Sequence, residues 1–140
     1  IERNWGKAMD YRGFIQLDLP VAVAIVSCGA DWRVEEANAE FTDVLGYTEK
    51  ELRKTRPQKM VYDEDYANLV SVLKNVVRTH DNGKMQLRIV RPDGKPRWVE
   101  MRCSVLAHYD VKPYVVLFLW DIDEEKRREE QHCKTVEPEI

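Results

Sequence analysis

The amino-acid sequence predicts an α+β domain: a five-stranded antiparallel sheet with helices packed on one face, plus a flanking N-terminal helix and a C-terminal exit helix. Three observations carry this. Strand-type segments group at the two ends of the chain, at residues 21–26 and 32–37 and again at 84–90, 98–105 and 114–120, while the stretch from residue 38 to residue 80 has helical periodicity. Strands within each group are separated by short turn sequences, Gly29 to Asp31, Asp93-Gly94 and Tyr109 to Pro113, which pair neighbours antiparallel. The helical middle carries start and stop signals at short intervals, as several helices require.

Taken in order, Trp5 to Leu17 places Trp5, Met9, Tyr11, Phe14 and Ile15 in a loosely helical pattern. Gly6 and Gly13 interrupt it, each costing about 1 kcal/mol against Ala, so this helix needs tertiary support. Pro20 ends it, and the apolar run V-A-V-A-I-V from Val21 has the length of a strand covered on both faces. Trp32 to Ala37 returns as a second strand with Trp32 and Val34 on one face. Asn38 is a strand-to-helix hinge whose side-chain oxygen can accept from an orphan N–H of the first turn. Phe41, Val44 and Leu45 recur at helical spacing, and Gly46 stands where a left-handed cap would end the helix. Thr48 and Glu51 form a capping box for a second short helix, to which Leu52 adds an apolar contact.

Arg53 to Val61 is a polar, proline-containing connection, and Asp63 is the expected N-cap of a long helix, with Glu64 and Asp65 at the positive end of its dipole. Tyr66, Leu69, Val70, Leu73, Val76 and Val77 make a stripe that must lie on a sheet, and Asp81-Asn82-Gly83 is the expected stop. From Lys84 the period becomes two. Met85, Leu87 and Ile89 alternate with Gln86, Arg88 and Val90, and across the Asp93-Gly94 turn Val99, Met101, Cys103 and Val105 form the core-facing set. The strand from Tyr114 to Trp120 is apolar at every position, so its outer face also needs cover, from the N-terminal helix or a second subunit. The charged run after Asp121 is a helix candidate with i,i+4 ion pairs such as Glu124 with Arg128, limited by Pro138; it lacks the apolar repeat of a coiled coil.

A chain of 140 residues gives one domain with a single core. Its net charge of −3, with 25 acidic and 22 basic residues interspersed, offers no basic face, and no nucleic-acid partner is expected. The apolar runs are far short of the ~20 residues that cross a bilayer, so this fragment is expected to hold no membrane segment. The three cysteines, Cys28, Cys103 and Cys133, are widely spaced, which fits a reducing, cytoplasmic setting better than a disulfide framework or a metal site. No nucleophile, base or metal constellation has catalytic spacing, so the domain is read as non-enzymatic. The start at Ile1 and the charged end point to a piece of a longer protein.

The strand followed by Asn38-Ala39-x-Phe41, then Leu45-Gly46-Tyr47 and a capped Glu-Leu helix, resembles the opening half of a PAS (Per-Arnt-Sim) sensory domain. R-P-D-G-K-P-R-W-V-E from Arg91 to Glu100 and W-D-I-D from Trp120 to Asp123 are similar to that family's C-terminal PAC-type hairpin and exit motif. The resemblance implies a flanking helix over residues 1–18, a PAS domain over 19–123 and an exit helix over 124–140 leading to a covalently linked effector, for which a diguanylate cyclase or a histidine kinase is the first expectation. It also implies a signal-exit junction at Asp121, Ile122 and Asp123, with Asp123 capping the helix in place of the family's usual Thr. Trp98 and Trp120 match aromatic positions on the outer sheet face, where packing or dimerisation is expected. Haem sensors of the family carry a histidine earlier in the long helix than His80, which is read here as ending that helix; light-sensing flavin domains need a cysteine that Thr55 to Met60 lacks. Haem and covalent flavin are therefore not expected, and the cofactor is left unassigned.

A ligand pocket is expected between the long helix and the inner sheet face, lined by Tyr66, Leu69, Val70, Leu73, Met85, Leu87, Val99, Met101, Cys103, Leu117 and Leu119, with Met60 and Tyr62 at its mouth. Such a lining suits a small apolar or aromatic metabolite. A filled core without a ligand reads the same residues equally well. Two functional readings follow: a homodimeric sensory domain that binds a ligand or partner and signals through the exit helix, or a ligand-free homodimerisation module.

Overall fold

The computed structural model describes residues 20–28, 32–109 and 112–136; the expected N-terminal helix and the turn at Gly29 to Asp31 lie outside these. Five strands, β1 (Ala22–Cys28), β2 (Trp32–Ala37), β3 (Gly83–Val90), β4 (Pro96–Tyr109) and β5 (Lys112–Asp121), form one sheet in the order β2-β1-β5-β4-β3. Every pairing is antiparallel, and β1 and β5 lie side by side although most of the chain separates them. Between β2 and β3 run α1 (Ala39–Leu45), α2 (Glu49–Lys54), α3 (Pro57–Met60) and α4 (Asp63–Thr79), and α5 (Asp123–Val136) leaves from β5.

Local chemistry sets most of these boundaries. Asn38 Oδ1 accepts from the N–H of Phe41 and from that of Val23, both at 3.0 Å, while Nδ2 donates to Val21 O at 2.7 Å. The hinge thus caps α1 and pins it to β1 with one buried side chain. Gly46 ends α1 in the left-handed region at φ 80°, and the Thr48–Glu51 capping box opens α2 with both reciprocal bonds made.

Three expectations are corrected. The connection from Arg53 to Val61 contains the short helix α3, started by Pro57 at its first position. Asp63 is the first helical residue of α4 and Tyr62 holds the cap position without a side-chain bond, its main-chain N–H donating to Arg88 O at the edge of β3. At the far end His80, at φ 63°, stops α4 with its N–H on Val76 O, and Gly83 has another task. A Cβ at Gly83 would stand 2.7 Å from Val76 Cγ2 and 2.8 Å from Cys103 Sγ, so this glycine lets β3 and β4 close onto the C-terminal half of α4.

The inner sheet face and α1–α4 enclose the main core, with Leu52, Val99, Met101, Cys103 and Val115 almost fully buried. On the outer face Val23, Ile25 and Val116 form a second buried cluster, flanked by Val21, Leu106, Tyr114 and Phe118. Trp120, on that face, is 40% exposed.

Candidate functional site

Two sites follow from this frame, one inside and one at the rim. The inner site is a cavity of about 70 Å³ bounded by β1, β2, the short helices and the N-terminal half of α4. Of the residues expected at a pocket, Met60, Tyr66, Leu69, Val70, Leu73, Leu87, Met101, Leu117 and Leu119 line it. Four do not. Met85 and Cys103 lie toward Gly83, where α4 presses on the sheet; Val99 is buried in the core without reaching the cavity; Tyr62 is turned toward Arg88 outside. Sequence reasoning missed Val26, Trp32, Val34, Phe41, Leu45, Pro57, Val61 and Ile89, which wall the cavity beside α1 and α3, and Arg33 at its rim. The shared face of Trp32 and Val34 and the i,i+4 spacing of Phe41 and Leu45 are the signals that could have found them.

The chemistry of the cavity is nearly all apolar. Cys103 is kept inert by burial, which pushes its thiol up to about 11. Among the described residues no group of His, Cys, Asp and Glu could hold a metal ion. His80 ends α4 on the exposed side.

The rim site joins the hairpin of β3 and β4 to α5. The Ile122 N–H donates to Trp98 O at 3.1 Å, and the Trp98 N–H donates back to Asp123 Oδ1 at 3.1 Å. Asp123 is buried, and its other oxygen pairs with Arg127 Nε at 2.9 Å, one turn along the helix. The capping role expected of Asp123 falls to Asp121, whose Oδ1 accepts from the Asp123 N–H at 3.0 Å while Oδ2 accepts from Arg97 Nε at 2.6 Å. The exit helix is thus bonded to β4 at its first turn by main chain and carboxylates together.

Beside this junction Arg88 donates from Nε and Nη2 to the two oxygens of Asp65, each at 3.0 Å, and its main-chain N–H donates to Asp65 Oδ2 at 2.8 Å. The guanidinium holds the Asp65 carboxyl below the usual carboxylate range, and the carboxylate in turn raises the arginine. Expected only as a dipole-favoured residue of the first turn, Asp65 is in fact the anchor of α4 on the sheet edge.

An antiparallel sheet with helices on one face, an apolar inner space between them and a helix leaving from the last strand define an α+β domain of the PAS type. The sequence model of the PAS fold family matches residues 34–118, and the chain belongs to that family. A probable diguanylate cyclase, DgcE, from Escherichia coli (strain K12) is 26% identical over 138 residues, covering 97% of this chain and 12% of the relative. The chain therefore spans about an eighth of that protein's length. Among solved structures, the Rhodobacter sphaeroides LOV protein superposes with a TM-score of 0.73 at 16% identity, covering 91% of this chain and 73% of its own. A PAS domain of a Colwellia psychrerythraea protein does so at 0.69 and 14%, covering 84% and 98%. The PAS domain of a two-component sensor histidine kinase gives 0.65 at 15%, again covering 84% and 98%.

The likeness to LOV domains raises the question of flavin. Pockets for ligands of that size take about 300–1,000 Å³ and place several polar groups against the ligand. The present cavity, at about 70 Å³, is lined by apolar and aromatic residues apart from Arg33, and the Tyr66 hydroxyl and the Trp32 indole N–H are the other side-chain polar groups of its lining residues. These residues, as arranged, do not fit a flavin ring system.

Proposed function

We propose that this PAS domain is a regulatory module whose output is the position of α5, read by a covalently linked effector of the diguanylate cyclase or histidine kinase kind. The observation that carries the reading is Asp123: a buried carboxylate on the first residue of the exit helix that accepts from the Trp98 main chain of the edge hairpin of β3 and β4. A carboxylate in that position makes the start of the helix sense any shift of β4. Whatever binds the domain moves the equilibrium between helix positions only by its difference in affinity for them. The relative with a diguanylate cyclase name and the histidine kinase PAS neighbour are in keeping with such outputs.

The input we assign to the inner cavity is a small apolar or aromatic molecule, for which the dominance of apolar lining is the support and the limited volume sets an upper size. In the full-length protein, Asp121→Ala is expected to change effector turnover, cyclic dinucleotide synthesis or autophosphorylation, while leaving the domain folded. Unchanged regulation in that variant would remove the junction from the mechanism. Native mass spectrometry tests the input: a discrete mass lost on denaturation supports the ligand, and a bare protein counts against it.

A second reading, a ligand-free homodimerisation module, is favoured by one observation, the exposed Trp120 stacked at 6.3 Å on Phe118 beside the apolar outer cluster. Trp120→Arg should then shift the molar mass in light scattering from dimer to monomer. A mass that does not respond excludes this face.

A further inference from the structure

At the edge of β3 four side chains alternate ring and cation. The Arg88 guanidinium lies 4.1 Å from the centroid of the Tyr62 ring and 4.9 Å from that of Trp98, and the Lys126 ammonium lies 5.1 Å from the centroid of Trp98. All three distances are within the ~6 Å over which a ring quadrupole attracts a cation. Tyr62 is the cap of α4, Arg88 belongs to β3, Trp98 is its partner in register on β4, and Lys126 is in the first turn of α5. The stack therefore begins at the start of the long helix, rounds the sheet edge and ends on the exit helix. Arg88, Trp98, Asp123 and Lys126 wall one crevice of about 170 Å³, so stack and junction share a boundary.

Orientation is what makes this stack more than adjacent charges. The planar guanidinium can face a ring only in one plane, and its two donated bonds to Asp65 fix that plane. If α4 moves relative to β3, the fork turns and its alignment with the Trp98 ring changes, along with the electrostatic setting of Lys126. None of this requires the Asp121–Asp123 junction to change first.

We propose that the Tyr62–Arg88–Trp98–Lys126 stack couples the N-terminal turn of α4 to the exit helix, as a second route of transmission beside the carboxylate junction, with Asp65 as the positioning residue that sets it. Its meaning as signalling rests on α5 being the output, but the coupling is a property of this domain and is tested on the domain itself.

The experiment is amide hydrogen exchange on the 140-residue chain and on Asp65→Asn, Arg88→Lys, Lys126→Met and the Asp65→Asn/Lys126→Met pair. Asp65→Asn is expected to speed exchange of the amides of residues 126–130 about three- to five-fold, although the described bonds of the carboxylate run to Arg88 and none to α5. Arg88→Lys, which keeps the charge and loses the fork, should reproduce it. Lys126→Met should speed exchange at Tyr66 by a similar factor, since coupling is reciprocal, and the double variant should fall short of the product of the two singles. The amides of Val23 and Val115 in the sheet centre report global stability, so any change there measures overall destabilisation and is separated from the local change at residues 126–130. An effect of Asp65→Asn confined to α4 and β3, or multiplicative behaviour of the pair, overturns the proposal. Lys126→Met removes only a partly exposed side chain, so its effect at Tyr66 decides the matter even if Asp65→Asn fails to fold. Unaltered effector output in Asp121→Ala would instead count against α5 as the output and leave this coupling standing.

Discussion

Inside the fold, Leu69, Leu73, Leu117 and Leu119 surround a small cavity with side chains that attract without direction; at the rim, Arg88, Asp65, Trp98 and Asp123 meet through bonds that each fix an angle. The inner wall tolerates any apolar occupant of the right volume, so it defines little about a ligand beyond size and polarity. The rim has one arrangement and ties three elements to the helix that leaves the domain. Apolar packing dominates the first region and directional bonds the second, so the core can persist while the rim bonds of α5 rearrange.

Substitutions can break that contrast. Leu73→Ala is expected to have the largest effect, a loss of about 3–4 kcal/mol in urea denaturation with no rearrangement of the exit helix, because it enlarges an existing void. Asn38→Ala should follow closely, at about 3 kcal/mol, since it strips partners from Val23, Phe41 and Val21 at once. At the rim, Asp65→Asn is expected to cost about 2 kcal/mol at neutral pH. The sign with pH follows from Arg88 holding the Asp65 carboxyl below its ordinary value of 3.8: the contribution is complete above that value and is lost as pH falls through the lower folded-state value. Denaturation midpoints across the acid range should therefore fall less steeply in Asp65→Asn than in the parent. Smaller still, and opposite in sign, Val34→Ile should gain about 0.5–1 kcal/mol by filling part of the cavity, whereas a loss would mean that the space is already needed by its neighbours. Smallest of all, Arg128→Ala removes an exposed pair with Glu124 and should change the unfolding free energy by less than about 0.5 kcal/mol.

The parts legible in the sequence are those governed by neighbours along the chain. Asn38, Gly46 and the Thr48–Glu51 box act over a few residues and fall where capping chemistry puts them, and the alternation of Val99, Met101 and Cys103 fixes the core face of β4. Asp63 misleads because the start of α4 is decided by a long-range bond, Tyr62 N–H to Arg88 O, that no local rule contains. The cavity lining was legible only in part for a similar reason. Close approach at Gly83 shuts the space near Met85 and Cys103, and the gap opens at the other end of α4, beside Phe41 and Leu45. Where a helix tilts against a sheet is a property of two surfaces, and one glycine in a strand does not announce it. Asp123 looks like a cap by position, and only the register of β4 against the exit segment reveals its bond to Trp98.

Asp123 holds the first turn of α5 to the sheet through the Trp98 main chain. Amide exchange of residues 126–130 in Asp123→Ala tests it most directly, because the substitution removes the Trp98 bond and the Arg127 pair while leaving the core of the sheet intact. Exchange is expected to be about ten-fold faster or more in that helix, beyond any change at Val23 and Val115 that reports overall destabilisation. Exchange in the helix that matches the parent would contradict it and would leave the exit helix without its proposed link to the domain.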